Sequence, residues 1–240
     1  MEKGVWMKHI YFAVLVAAVL LLGCTLLPPP KEKPNTGQGG NGGSNESAEV
    51  LQAKERAMAA YKEVLQKRNA VTYKATYAVN DAEYAASEVM IFSSPPTAER
   101  VDKKLRNKST QMTLDDTSGS YRCEITDIES ICYKMPLGSA REAKPVALKE
   151  EANAAKFPEV YSVMQAGAAP SSIGELAASC FTLASIGTKT VVCYTQTGVP
   201  SYVKMEQAGL VREVLMKSSS PAADSDFDPP AQMTQTPQTR

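Results

Sequence analysis

Few residues in this sequence can do chemistry. His9 is the only histidine among 240 residues, and it stands close to the N-terminus. A single imidazole there supports neither a His-based metal cluster nor a Ser-His-Asp or Cys-His nucleophile. Two adjacent carboxylate pairs, Asp115-Asp116 and Glu150-Glu151, are the remaining acid–base candidates. The first runs into Thr117-Ser118-Gly119, which is turn chemistry, and the second falls on a charged helix face. This inventory leaves carboxylate-only glycoside hydrolysis open. No catalytic residue, metal site or cofactor is expected, and the sequence reads as a non-enzyme. The 26 basic and 26 acidic side chains balance, so no electropositive field points to nucleic acid.

Cysteine carries the rest of the chemistry, and the first of the five has a special position. Lys3 and Lys8 precede an unbroken apolar run from Ile10 to Leu22, which ends in Leu21-Leu22-Gly23-Cys24. A basic start, a short apolar run and a small residue before the cut describe an export signal over residues 1–23. Leu21 to Cys24 resembles the lipobox of prokaryotic lipoproteins. The resemblance implies that Cys24 becomes the mature N-terminus and carries a lipid. An uncleaved signal anchor is the alternative, because Ile10 to Leu27 is free of charge and just long enough to span a bilayer. Under either reading the rest of the chain is extracytoplasmic and anchored to the cell membrane.

Cys123, Cys132, Cys180 and Cys193 remain. In an exported chain an even set reads as disulfides, and four cysteines allow three connectivities. A two-residue turn at Asp127-Ile128 would set Cys123 opposite Cys132, and one at Ile186-Gly187 would set Cys180 opposite Cys193. The same arithmetic working twice favours 123–132 and 180–193, because cross-strand pairs bring the two Cα atoms within disulfide reach. The alternative, a four-thiolate zinc site, normally pairs cysteines two to four residues apart, whereas these are nine and thirteen apart.

The elements that must position these residues follow from periodicity. Residues 24–45 are rich in proline and glycine and form a flexible spacer after the anchor cysteine. Residues 46–217 are the folded extracytoplasmic domain, and residues 218–240, rich in Ser, Pro, Gln and Thr, form a disordered tail. The domain opens with a helix over Glu46–Lys67, whose apolar stripe is Val50, Leu51, Ala57, Met58, Tyr61, Val64 and Leu65. Ser44 or Asn45 offers its cap, and Arg68-Asn69 ends it. Alternation over Val71–Val79 then marks a strand, followed by strands at 87–93, 98–105, 110–114, 120–126 and 130–135. A helical interval comes next: Val146–Lys156, then Pro158–Gln165 with its proline in the first turn, and a capping box at Ser172-Ile173-Gly174-Glu175. Strands return at 180–185, 189–195, 201–207 and 210–217. The class is α+β, an N-terminal amphipathic helix on an antiparallel sheet with a helical insert.

That order of elements, and the close from Cys193 to Glu206 with Gly198-Val199-Pro200 before the penultimate strand, resembles the lipoprotein-carrier superfamily typified by LolA and the mycobacterial LppX-like lipoproteins. The resemblance implies an incompletely closed β-barrel-like sheet wrapped on a helix, with helices covering an apolar cavity and no catalytic residues. Tyr73, Tyr77, Met90, Phe92, Val203 and Met205 are then the candidates to line that cavity. Read from the residues alone, the same side chains fill a closed core. Two functions follow: a non-catalytic carrier or binder of a lipid or other apolar ligand, or a cell-surface structural or protein-interaction module with a solid core and no ligand.

Overall fold

A computed structural model describes residues 47–105, 109–167 and 177–229. The leader, Cys24, the spacer and the expected capping box at Ser172 lie outside the described residues, as do Ser44, Asn45 and residues 230–240. Helix α1 spans Ala48–Arg68, and Ser47 stands at its N-cap position without a capping side-chain hydrogen bond. Its buried residues, Ala57, Tyr61, Val64 and Leu65, recur at helical spacing and so form one stripe. Lys67 and Arg68 in the last turn complement the negative end of the helix.

The described residues hold eleven strands, all paired antiparallel in one sheet. The first six are β1 (Tyr73–Asn80), β2 (Glu88–Ser94), β3 (Ala98–Lys104), β4 (Thr110–Asp116), β5 (Gly119–Ile125) and β6 (Ser130–Met135). The other five are β7 (Ser162–Gln165), β8 (Ser179–Ser185), β9 (Thr188–Tyr194), β10 (Pro200–Gln207) and β11 (Leu210–Ser220). The sheet order is β6-β5-β4-β3-β2-β1-β11-β10-β9-β8-β7, two meanders joined where β1 meets β11. The ends β6 and β7 do not pair with one another, so the sheet is open. Because β6 and β7 are opposite edges, the connection between them must cross one face. It does so as α2 (Ser139–Ala143) and α3 (Val146–Lys156), which pack on β3, β4, β9, β10 and β11. This is the α+β, incompletely closed arrangement expected above.

Alternation along each strand sorts side chains onto two faces. The helix-side face carries the main core: Tyr77, Val89, Ile91, Val101, Phe181, Leu183, Val192, Val203, Met205 and Val214 pack against Tyr61 and Leu65 of α1 and Ala147, Leu148 and Ala154 of the insert. Fully burying a Val, Leu, Ile, Phe or Met side chain stabilises by about 1.5–3 kcal/mol relative to exposure. The outer face carries two smaller clusters, each built on a disulfide. Cys123–Cys132 joins β5 to β6 beside Met112 and Leu114, and Cys180–Cys193 joins β8 to β9 beside Tyr202. The Cα atoms of each pair are 4.0 Å apart, and both connectivities are those favoured by the hairpin arithmetic.

Two expectations are corrected. Pro158–Gln165 is not a helix: Pro158–Val160 makes a single 3-10 turn, and Ser162–Gln165 becomes the edge strand β7, with Val163 inserted into the core at 2% exposure. Four residues hold too little helix to stand alone, and pairing with β8 satisfies their backbone instead. The order also extends past residue 217. Ser218, Ser219 and Ser220 continue β11 opposite Thr76, Ala75 and Lys74, and Asp224–Phe227 forms a 3-10 turn against the outer face. Composition marked these serines as tail, but the length of β1 sets where its partner stops.

Candidate functional site

A buried polar network lies where α1, the helical insert and the sheet meet. Arg68, the last residue of α1, holds Glu151 of α3 in a two-point grip: Nε donates to Oε1 at 2.7 Å and Nη2 to Oε2 at 2.9 Å. Tyr194, at the end of β9, donates its hydroxyl to the same Oε1 at 2.8 Å. The Glu151 side chain is 2% exposed and that of Arg68 16%. A carboxylate this deep needs a bidentate partner, because its desolvation otherwise outweighs any Coulombic gain. Gly198 makes the approach possible. At φ +89° it lies against the end of α1, and an added Cβ would come within 2.5 Å of the Arg68 backbone nitrogen. This is the Gly198-Val199-Pro200 turn marked from sequence, and β10 starts at its proline.

Tyrosines surround the pair. Tyr61 is fully buried between Phe181 and Tyr194, with ring centroids at 5.2 and 6.3 Å, and its hydroxyl lacks a hydrogen-bond partner among the described residues. Tyr77 donates to the Pro200 carbonyl at 2.9 Å. Burial first, and the Glu151 charge second, raise the Tyr61 and Tyr194 hydroxyls well above the ordinary tyrosine range. Tyr73 and Tyr77 are raised as well, again chiefly by burial.

Beside this network a cleft of about 350 Å³ opens beneath the insert, with Arg68, Glu99, Asp115, Arg141, Lys144 and Lys156 in its walls. Its carboxylates are committed to structure. Asp115 accepts the Ala140 backbone N–H at 2.9 Å and the Ser120 hydroxyl, and Asp116 accepts the Ser118 and Gly119 backbone N–H groups at 2.7 and 2.9 Å. Glu99 pairs with Lys144. Glu150 accepts the Tyr161 hydroxyl at 2.9 Å, leaving Glu151 to Arg68 and Tyr194. Each carboxylate singled out from the sequence therefore has a structural partner of its own: Asp115 and Asp116 both border the cleft but hold a helix end and a turn respectively, Glu150 holds Tyr161, and Glu151 holds Arg68 and Tyr194. Asp115 and Asp116 are consecutive in a strand and point to opposite faces.

The six cavity candidates separate into two groups. Tyr73, Tyr77, Val203 and Met205 lie on the helix-side face and are buried in the main core. Met90 and Phe92 lie on the outer face, opposite Thr76 and Lys74, and do not join them. The strand reads Val89-Met90-Ile91-Phe92, apolar at every position, so its alternation gave no phase; Val89 and Ile91 took the core side. Arg68 and Tyr194 were not marked from sequence as a site. A cation in a last helical turn and a tyrosine in a strand are ordinary features until the fold brings Glu151 between them.

No family model matches the chain, and no curated protein sequence matches it. Solved structures similar to it are about a tenth identical in sequence. The crystal structure of MucB has a TM-score of 0.43 at 10% identity, over 74% of this chain and 64% of that one. The MucA/MucB complex of Pseudomonas aeruginosa gives 0.40 at 11% identity, over 73% and 62%. Protein CT021 of Chlamydia trachomatis gives 0.35 at 9% identity, over 70% and 97%. The chain spans less than two thirds of the MucB chains it matches. No residue role carries over from them.

Proposed function

We propose that the protein is a membrane-tethered, extracytoplasmic, non-catalytic interaction module with a solid core. The observation that carries this reading is the filling of the helix-side face. Tyr73, Tyr77, Val203 and Met205, placed to line a cavity, are each at most 7% exposed and pack in one continuous cluster with the helices. An apolar ligand would have to displace Tyr61, Leu65 and Leu148 from that cluster. The commitment of both carboxylate pairs to structural bonds supports the absence of catalysis. Export is supported by the basic and apolar leader and by two buried disulfides, which persist in oxidising compartments. The tether is the lipid on Cys24 implied by the lipobox resemblance.

A carrier of an apolar ligand is the second reading, favoured by a groove of about 440 Å³ between α1 and β7, walled by Met58, Ala59 and Tyr161 with Val163 at its base. One preparation tests both. The full chain purified in mild detergent is expected to have the mass of residues 24–240 plus one diacylglyceryl modification, and to retain no further lipid in native mass spectrometry. One equivalent of a second lipid per chain would overturn the solid-core reading in favour of the carrier. An unmodified chain of full mass would replace the lipid tether by a signal anchor.

A further inference from the structure

The outer face of the sheet carries a feature that neither the buried network nor the core uses. After β11 the chain folds back across β1–β3. Phe227 meets Phe92 edge to face, with centroids 6.5 Å apart, and packs against the cluster of Met112 and Leu114. The Arg100 guanidinium lies 4.6 Å over the Phe92 ring and donates to the Asp226 backbone carbonyl at 2.8 Å. Asp102 fixes that guanidinium with two bonds of 2.9 and 2.7 Å. Lys74 pairs with the Asp226 carboxylate at 3.4 Å, and the same carboxylate closes the turn by accepting the Ala223 backbone N–H at 2.8 Å.

The contact is unequal. None of residues 221–229 is buried, whereas Phe92, Met112 and Leu114 beneath them are 5%, 1% and 0% exposed. Space of about 520 Å³ stays open beside the strap, walled by Lys74, Met90, Arg100 and Ser218. Among the described residues no strand follows the strap, so it can leave without breaking any ladder. Its departure would uncover an aromatic floor flanked by the Lys74 ammonium and by the Nη1 donor of Arg100, whose charge Asp102 already pairs, a surface whose complement is a carboxylate and a backbone carbonyl next to an aromatic ring.

We propose that the outer face of β1–β3 is a docking surface for an extended segment of a partner protein in which a carboxylate adjoins an aromatic side chain, and that the chain's own C-terminal strap occupies it as a built-in competitor. The inference rests on the reading of the domain as an interaction module and names the surface that the module would use. Lys74 and Arg100 read the acidic residue and the backbone beside it, while Phe92 and its neighbours read the ring. The unfilled space lets a partner segment longer than the strap run on past Met90.

The test uses the full chain and a fluorescein-labelled peptide of residues 221–229. Wild type, Phe227→Ala and Asp226→Lys chains are compared by fluorescence anisotropy, with circular dichroism to establish folding. Both variants are expected to bind the peptide at least tenfold more tightly than wild type, because their own strap no longer competes. A peptide carrying the Phe227→Ala change is expected to bind at least tenfold more weakly, and an Arg100→Ala change added to the Asp226→Lys chain is expected to abolish uptake. Equal binding by wild type and variants, or no binding by either, would overturn the proposal. Loss of folding in both strap variants would overturn it too, since the strap would then be part of the core. The lipid content of the same preparations reports separately on the solid-core reading.

Discussion

Glu151 depends on Arg68 more than on any other residue. Two N–H donors from one guanidinium and one tyrosine hydroxyl account for both of its oxygens at 2% exposure. Breaking such a pair leaves a buried charge without its counter-ion, which typically costs about 3–5 kcal/mol, whereas replacing both partners by apolar residues is often neutral. Urea unfolding of Glu151→Gln is therefore expected to show a loss of about that size. The Arg68→Met/Glu151→Leu double variant should lose far less. Equal losses in the single and double variants would mean that the pair is not the source of the effect. Gly198→Ala acts on the same junction from the backbone side. A left-handed residue with a side chain costs roughly 1–2 kcal/mol, and the added Cβ also meets the end of α1, so a larger fall in melting temperature than for Gly209→Ala is expected. Gly209 has a similar φ of +78° but open space around it.

At the scale of elements, the two disulfides staple the two ends of one sheet on its outer face. Cys123–Cys132 holds the edge strand β6, and Cys180–Cys193 holds β8, on which the short edge strand β7 depends. Edge strands have a partner on one side only, so they gain most from a covalent tie. Replacing either pair by alanines is expected to cost about 2–3 kcal/mol in denaturant unfolding. Hydrogen exchange should report the loss at β6 for the first pair and at β7–β8 for the second. Uniform loss across the sheet would contradict this local account.

The whole molecule concentrates tyrosine at the junction of its helices and sheet. Tyr73, Tyr77 and Tyr194 are held neutral mainly by burial, so their folded pKa values stand above the unfolded value of about 10. A raised pKa contributes stability that is complete below the unfolded value and is lost as pH rises toward the folded one. Melting temperature is thus expected to hold up to about pH 10 and then fall, each buried tyrosine removing about 1.4 kcal/mol per pH unit. Tyr161, pushed up to about 12 chiefly by desolvation and then by its bond to Glu150, adds to the same limb. Absorbance at 295 nm should show part of the tyrosine titration delayed until unfolding. Ordinary titration of all nine tyrosines of residues 24–240 in the folded protein would refute this.

Local pattern determined a large part of this protein. Periodicity set α1 and most of the strands to within a residue or two, because each buries one face and must alternate accordingly. Turn arithmetic identified both disulfides, since a two-residue hairpin leaves no freedom over which residues stand opposite. The basic and apolar first residues and the single histidine, His9, are the sequence features behind the expectations of export and of a non-enzyme. Tertiary structure decided what periodicity does not encode. It chose which apolar residues of Val89–Phe92 face the helices, turned Ser162–Gln165 into an edge strand, and carried a serine run on as the end of β11. It also brought Arg68, Glu151 and Tyr194 together across 83 and 43 residues of chain, and laid Asp226 and Phe227 on Lys74, Phe92 and Arg100. The physical reason is the same in each case. Local preference is worth a few tenths of a kcal/mol per residue, whereas burying a charge or orphaning a strand edge costs several kcal/mol. Only the folded chain determines which residues face those costs and which partners relieve them.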